Sequence, residues 1–335
     1  MFRCAFVPVL AAAAVTGACS HKADPLAPPL GLEKLELVVQ ANDPLTVDKA
    51  ELGKMLFFDP RLSGSGKMSC ATCHPPAKAW ADGERFSIKD DGKPNTRNTP
   101  SVFNTGYLKD GLYWDSRAPT LEANVLAAWK NQMSGKTDEV GKALAAVPGY
   151  ATMFQKAFGA PPGEDTIKRG LAAFLRTLRS GDSAYDRYQS GETAALTTDQ
   201  MAGLGLFTSK GCNVCHQPPL FTDGGHHIVG AGAETDHPDP GYGGEKSHND
   251  PKQIGAFKPP SLRNVARTAP YFHDGSVANL RDAVKFMAGG GKESPQRDPL
   301  LKDQKLTDKE IDQLVAFLES LSGNDAAFTA PAVPQ

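Results

Sequence analysis

The chain has no excess of charge of either sign: 36 basic against 38 acidic residues leave a net charge of −2 over 335 residues. That balance does not point to nucleic acid or to a strongly charged partner. Its apolar run from Ala5 to Val15 is too short to span a bilayer. Histidine is scarce, with eight in all and none between His74 and His216. Strong helical periodicity is missing from residues 75–113, where turn chemistry recurs at Asp82-Gly83, Asp91-Gly92-Lys93-Pro94 and Asn98-Thr99-Pro100. The length is enough for two domains with separate cores, and 33 Gly with 26 Pro suit short helices joined by long ordered loops.

Cysteine is also sparse, and four of the six fall in two stretches, Cys70-Ala71-Thr72-Cys73-His74 and Cys212-Asn213-Val214-Cys215-His216. Each fits C-x-x-C-H, in which two thiols form thioethers to a haem's vinyl groups and the adjacent imidazole ligates the iron. A zinc site would want further soft or imidazole ligands at finger spacing, and a dithiol redox motif has no use for the trailing histidine. The pattern therefore predicts two covalently bound c-type haems.

The amino terminus reads as an export signal over residues 1–19: Arg3, the apolar run, then small residues up to Cys19. Thr16-Gly17-Ala18-Cys19 resembles a bacterial lipoprotein cleavage box, which predicts a lipid anchor at Cys19. Either lipidation or plain secretion delivers the chain to the periplasm, where c-type haem is attached. Residues 20–45, with Pro25, Pro28, Pro29 and Pro44, read as a tether.

Apolar spacing predicts helices over Val47–Phe57, Leu121–Trp129, Thr137–Ala146, Tyr150–Phe158, Thr166–Arg179 and Thr198–Phe207. A last helix opens on the capping box Thr307-Asp308-Lys309-Glu310 and runs through Ile311, Leu314, Leu318 and Leu321. A polar connection near 181–196 divides residues 46–188 from 189–323, leaving 324–335 as a tail. The expected fold is all-α: two cytochrome c-like haem domains with long loops, repeated in architecture without obvious sequence identity.

The chemistry turns on the outer face of each iron, because an iron held by protein on both faces moves electrons and one with an open face binds oxygen or peroxide. The lack of histidine after His74 predicts an open first haem. The second half offers Met287, where a helix ends in Gly289-Gly290-Gly291. Met287 reads either as an axial ligand or as a core residue closing that helix. His226, His227, His237 and His248 read as solvated loop residues.

From about residue 46 to residue 322 the chain resembles the bacterial dihaem cytochrome c peroxidases and the related MauG group. The resemblance rests on residues 56–63 (LFFDPRLS), 98–104 (NTPSVFN), 113–118 (YWDSRA) and 262–276 (LRNVARTAPYFHDGS). It implies that Met287 is the axial ligand of an electron-transfer haem and that Trp114 lies between the haems on the electron path. It further implies that Asn98, Thr268 and Pro270 hold a calcium ion between the domains, and that a homodimer forms. Two departures stand out. No histidine occupies the loop after the first motif, so the first haem is expected open as isolated, as in the MauG group. Gln132 stands where the family has a distal glutamate, and Asn124 where it has a distal glutamine; an amide cannot take up peroxide's proton. Glu122 substitutes as base only if its helix turns it inward. The expected activity is reduction of hydrogen peroxide to water with electrons from a small cytochrome c or cupredoxin. The alternatives are a MauG-like oxidase acting on a partner protein and a dihaem electron carrier with a weakened first site.

Overall fold

A computed structural model of the protein describes residues 26–294, 296–323 and 328–335. The expected signal segment and Cys19 lie outside the described residues. Among those described there are helices and isolated β-bridges but no strand. The longer helices are α1 (Val47–Phe57), α2 (Leu121–Asn131), α3 (Thr137–Ala145), α4 (Pro148–Phe158), α5 (Glu164–Thr177), α6 (Ala184–Gln189), α7 (Thr198–Ser209), α8 (Leu280–Ala288) and α9 (Asp308–Glu319). The all-α expectation is met, and most predicted ends fall within a few residues. Local chemistry explains this: Thr46 and Thr120 cap α1 and α2, and the Thr307/Glu310 capping box starts α9.

The repeat is closer than sequence identity suggests. In the first half α1 crosses α5 at Gly53, where a Cβ would fall 1.8 Å from Gly170 O; in the second α7 crosses α9 at Gly203, where a Cβ would fall 1.9 Å from Gln313 O. Only glycine lets the backbones approach this closely. Beside each crossing sits an edge-on aromatic triad: Phe57, Trp80 and Phe174 with centroids 5.3–5.9 Å apart, and Phe207, Phe221 and Phe317 with centroids 5.0–6.2 Å apart. All six side chains are buried, each contributing on the order of 1.5–3 kcal/mol by leaving water.

Each triad takes a fourth ring from the chain segment that follows the other half's last helix. Past α5 the chain delivers Tyr185 to the second triad, 5.2 Å from Phe221. Past α9 it delivers Phe328 back to the first triad, 4.9 Å from Trp80 and stacked on Phe58 at 5.5 Å. Tyr185, within the polar connection near 181–196, thus packs in the second core. The described part of 324–335 is no free tail: Arg61 donates to Pro334 O at 2.5 Å.

Residues 26–45, expected as a tether, are instead laid along the body. Leu32 is fully buried, Val38 N–H bonds Gly106 O at 2.8 Å, and Asp43 pairs with Lys49 and Arg169, each at 2.6 Å. The proline spacing that suggested a loose linker gives no sign of these long-range partners.

Candidate haem sites and the cavity between them

Cys70–Cys73 form a single helical turn and Cys212–Val214 a 3-10 turn, so each motif brings its two thiols and its histidine together. His74 N–H bonds Cys70 O at 3.0 Å and His216 N–H bonds Cys212 O at 3.1 Å, which sets both rings the same way. His74 Nδ1 lies 2.9 Å from Trp80 O and His216 Nδ1 lies 3.0 Å from Phe221 O. With Nδ1–H donating to a carbonyl, Nε2 keeps its lone pair for a metal. Burial pushes both imidazoles below their ordinary pKa, which holds them in the neutral form that ligation requires.

The carbonyls that orient the rings come from bulky residues in left-handed backbone, Trp80 at φ 60° and Phe221 at φ 58°. Such residues avoid this region at a cost of about 1–3 kcal/mol each, so the strain is held by the aromatic triads in which both rings are locked. None of the four motif cysteines forms a disulfide. The donor set fits covalent haem at both places.

Beside the first motif, walled by residues of both halves, lies a cavity of about 250 Å³. On the first-half side Cys73, His74, Trp114, Asn124, Ala128 and Gln132 line it; on the other, Lys258, Arg263, Thr268, Pro270 and Tyr271. Of the sequence-predicted residues, Asn98, Trp114, Asn124, Gln132, Thr268 and Pro270 all meet here. Gln132 ends α2, its N–H bonding Ala128 O at 2.9 Å and its carbonyl accepting from Asp90 N–H at 2.9 Å. Asn124 O accepts from Tyr113 Oη at 3.3 Å. Trp114 Nε1–H donates to Asn98 O at 3.0 Å, and Asn98 Nδ2 donates to Glu84 O at 2.9 Å, which leaves Asn98 Oδ1 as the side-chain oxygen for a cation. Apart from His74, no histidine or methionine among the described residues lines the cavity.

Other residues lie elsewhere. Met287 sits in the last turn of α8, partly buried, away from this cavity. Glu122 does turn inward, at 3 % exposure, but toward Arg176 Nη1 at 2.7 Å, and it does not line the cavity. Helical geometry explains this, since Asn124 and Ala128 share a face that Glu122 does not. Of the loop histidines only His237 is exposed. His226 Nε2 lies 2.9 Å from Ser116 Oγ, and Tyr242 is sandwiched between His226 and His248 with 3.8 Å to each ring. His227 sits between Asp298 and Asp223 at 2.5 and 2.9 Å; the contact with Cys215 and these two carboxylates raise it to about 10. Cys215, Asp223 and His227 are close enough to share a cation, but Cys215 belongs to the haem motif.

Sequence reasoning missed the residues that join the halves. Asn98 N–H bonds His273 O at 2.7 Å and Lys258 N–H bonds Trp114 O at 2.8 Å. These are equivalent bonds, because N-T-P-S-V-F-N from Asn98 and K-P-P-S-L-R-N from Lys258 hold the same place in each half. In both, the serine hydroxyl donates at 2.6 Å to a backbone carbonyl, from Ser101 to Ala79 O and from Ser261 to Leu220 O. Arg97 spans the same junction, forking onto Asp239 at 2.6 and 2.7 Å and also meeting Asp115. Arg97, Arg117 and Arg263 in the cavity wall each hold a carboxylate. Buried Lys258 donates its amine to Gly111 O and forms no salt bridge among the described residues. Burial pushes that amine down to about 8, outweighing the opposing pull of the Asp110 and Asp115 carboxylates. Comparing the two N/K-x-P-S-x-x-N segments with one another would have flagged Lys258.

Known proteins share this arrangement. Residues 47–194 match the family described as di-haem cytochrome c peroxidase, and residues 200–322 match cytochrome c. The chain is 39% identical over 297 residues to the methylamine utilization protein MauG of Methylorubrum extorquens, covering 87% of this chain and 83% of that one. It is 34% identical over 304 residues to the cytochrome c551 peroxidase of Pseudomonas aeruginosa, covering 88% of this chain and 84% of the other. The crystal structure of a MauG-like protein associated with microbial copper homeostasis superposes with a TM-score of 0.80 at 31% identity, over 86% of this chain and 93% of that one. With its two haem-binding halves, the chain belongs to the dihaem cytochrome c peroxidase and MauG family of oxidoreductases.

Proposed function

We propose that this protein is a periplasmic dihaem peroxidase that reduces hydrogen peroxide to water with electrons from a small cytochrome c or cupredoxin. One observation carries the reading: the cavity beside His74 presents amides and a methyl group, from Asn124, Gln132 and Ala128, and among the described residues no histidine or methionine other than His74 lines it. The haems would supply electron transfer and the breaking of the oxygen–oxygen bond. Cys70, Cys73 and His74 would hold the first; Cys212, Cys215, His216 and Met287 the second. Trp114 lies at the junction, its indole fixed by Asn98 and its carbonyl by Lys258. Asn124 and Gln132 orient peroxide by hydrogen bonds, and the proton a glutamate would relay has to come from solvent. Lys258, in the cavity wall and without a salt bridge among the described residues, would offer its amine to a haem carboxylate. Asn98, Thr268 and Pro270 offer a calcium ion oxygens without carboxylate charge, which makes for a weak, water-rich site. No described helix is long and apolar enough to cross a membrane, and Cys19 would carry the lipid anchor.

Mixing the oxidised and the half-reduced protein with peroxide in a stopped-flow instrument should change the absorption of the first haem within the enzyme's turnover time. A silent spectrum removes the reading. A second reading is a MauG-like oxidase that modifies a partner protein, favoured by the 39% identity to a MauG and by the lack of histidine after His74. Incubation with peroxide and a protein encoded in the same operon separates the two: a mass change in the partner selects the oxidase, and fast peroxide consumption with a reduced donor selects the peroxidase.

A further inference from the structure

The halves can be laid over one another without a gap from Leu112 to Ala128 and from Tyr271 to Met287. Leu112 N–H bonds Ala118 O at 2.8 Å, and Tyr271 N–H bonds Val277 O at 2.7 Å. Tyr113 and Phe272 share a left-handed backbone at φ 67° and 68°, and Ser116 and Gly275 another at φ 55° and 59°. A helix then starts in both, capped by Thr120 accepting from Ala123 N–H and by Asn279 accepting from Asp282 N–H. Counting the same number of residues from each cap leads to Ala128 in α2 and to Met287 in α8. Each of these helices packs on the last helix of its own half, α2 on α5 and α8 on α9.

We propose that this single equivalent position selects the coordination of each haem, with the Ala128 methyl leaving the first iron's outer face open and the Met287 thioether closing the second. The inference rests on the reading of Met287 as an axial ligand and of the His74 haem as the open one. A methyl has no electron pair to give a metal, whereas a thioether does. Ala128 lines the cavity with His74, and Gln132 stands one helical turn further along the same face, so the space the small side chain leaves is bordered by an amide able to hydrogen-bond a small oxidant. On this view the difference between a reactive and a relaying haem is a side chain rather than a fold.

The test substitutes the full-length, haem-loaded protein at one residue. Ala128→Met introduces the second half's ligand, Ala128→His a ligand of different reach, and Ala128→Leu comparable bulk with no donor. Haem attachment is checked by mass, and the ferric proteins are compared by electron paramagnetic resonance and by cyanide binding. The wild type should show one high-spin and one low-spin signal. In the Met and His variants the high-spin signal should give way to a second low-spin signal and cyanide binding at the first haem should be lost, while the Leu variant keeps its high-spin signal. With both haems attached, a high-spin signal that persists in both the Met and the His variant overturns the inference. Failure of both variants to attach the first haem counts against it too, since the space it requires would then not exist. Two low-spin signals in the wild type would instead overturn the reading on which it rests.

Discussion

The first and second halves of this protein agree almost entirely on the side of the haem that the histidine occupies and differ on the opposite side. Both cross two helices at a glycine, set an aromatic triad beside the crossing, and turn one bulky residue of that triad left-handed so that its carbonyl holds the histidine. The proposed outer-face positions and the junction diverge: Ala128 against Met287, Trp114 against His273, Asn98 against Lys258. The proximal frame is expensive to alter because it is built from core aromatics and strained backbone. The distal positions sit at a helix face and on loops, where a substitution changes chemistry without unpacking a core.

Four substitutions break or sharpen this comparison. The largest effect is expected at Gln132. Gln132→Glu supplies the missing general acid/base and should raise the rate of the first haem's reaction with peroxide by at least ~10²-fold, leaving the second haem's spectrum unchanged. Stopped-flow rates decide it, and an unchanged rate would mean that this side chain does not reach the oxidant.

The next concerns the two exchanged rings. Tyr185→Ala should destabilise the protein by about 3 kcal/mol and Phe328→Ala by about 2 kcal/mol, the smaller figure reflecting a ring only partly buried. Denaturant unfolding of the two variants is the measurement, and a Phe328 variant as stable as the wild type would end the claim of reciprocity. The smallest effect is at the junction. Lys258→Asn gives the second half the residue of the first, removing a buried cation. Withdrawing positive charge favours the oxidised iron, so the reduced-to-oxidised ratio of the nearer haem at fixed poise should fall about tenfold, or 59 mV for one electron. Potentiometric titration reads this directly, and two unmoved potentials would leave Lys258 with no electrostatic role.

Much of this was legible in the residues because the signals are local. C-x-x-C-H places three ligating groups within one turn, and apolar periodicity with threonine caps gave helices whose ends moved little. What could not be read was long-range. That Leu32, Val38 and Asp43 bind the body, or that Glu122 turns inward to an arginine instead of to the cavity, depends on partners about 50 to 140 residues away that leave no periodic trace. The polar sequence around the loop histidines reads as solvated, yet His226 and His248 are stacked on Tyr242 and His227 is clamped by two carboxylates. The internal repeat was visible only as architecture. Its detail lay in N-T-P-S-V-F-N against K-P-P-S-L-R-N and Y-W-D-S-R-A against F-H-D-G-S-V, where few letters agree and the backbone turns do.

The crossing of Tyr185 and Phe328 bears on descent. Two copies of a single-haem chain, each lending the arm beyond its last helix to the other, would make this same pair of contacts across a two-fold axis. Joining the end of one copy to the start of the next turns one arm into an internal connection and leaves the other, ending beyond Phe328, to reach back alone. The carboxy-terminal arm thus has the geometry of one half of a reciprocal swap, and each half completes the other's aromatic core with one ring.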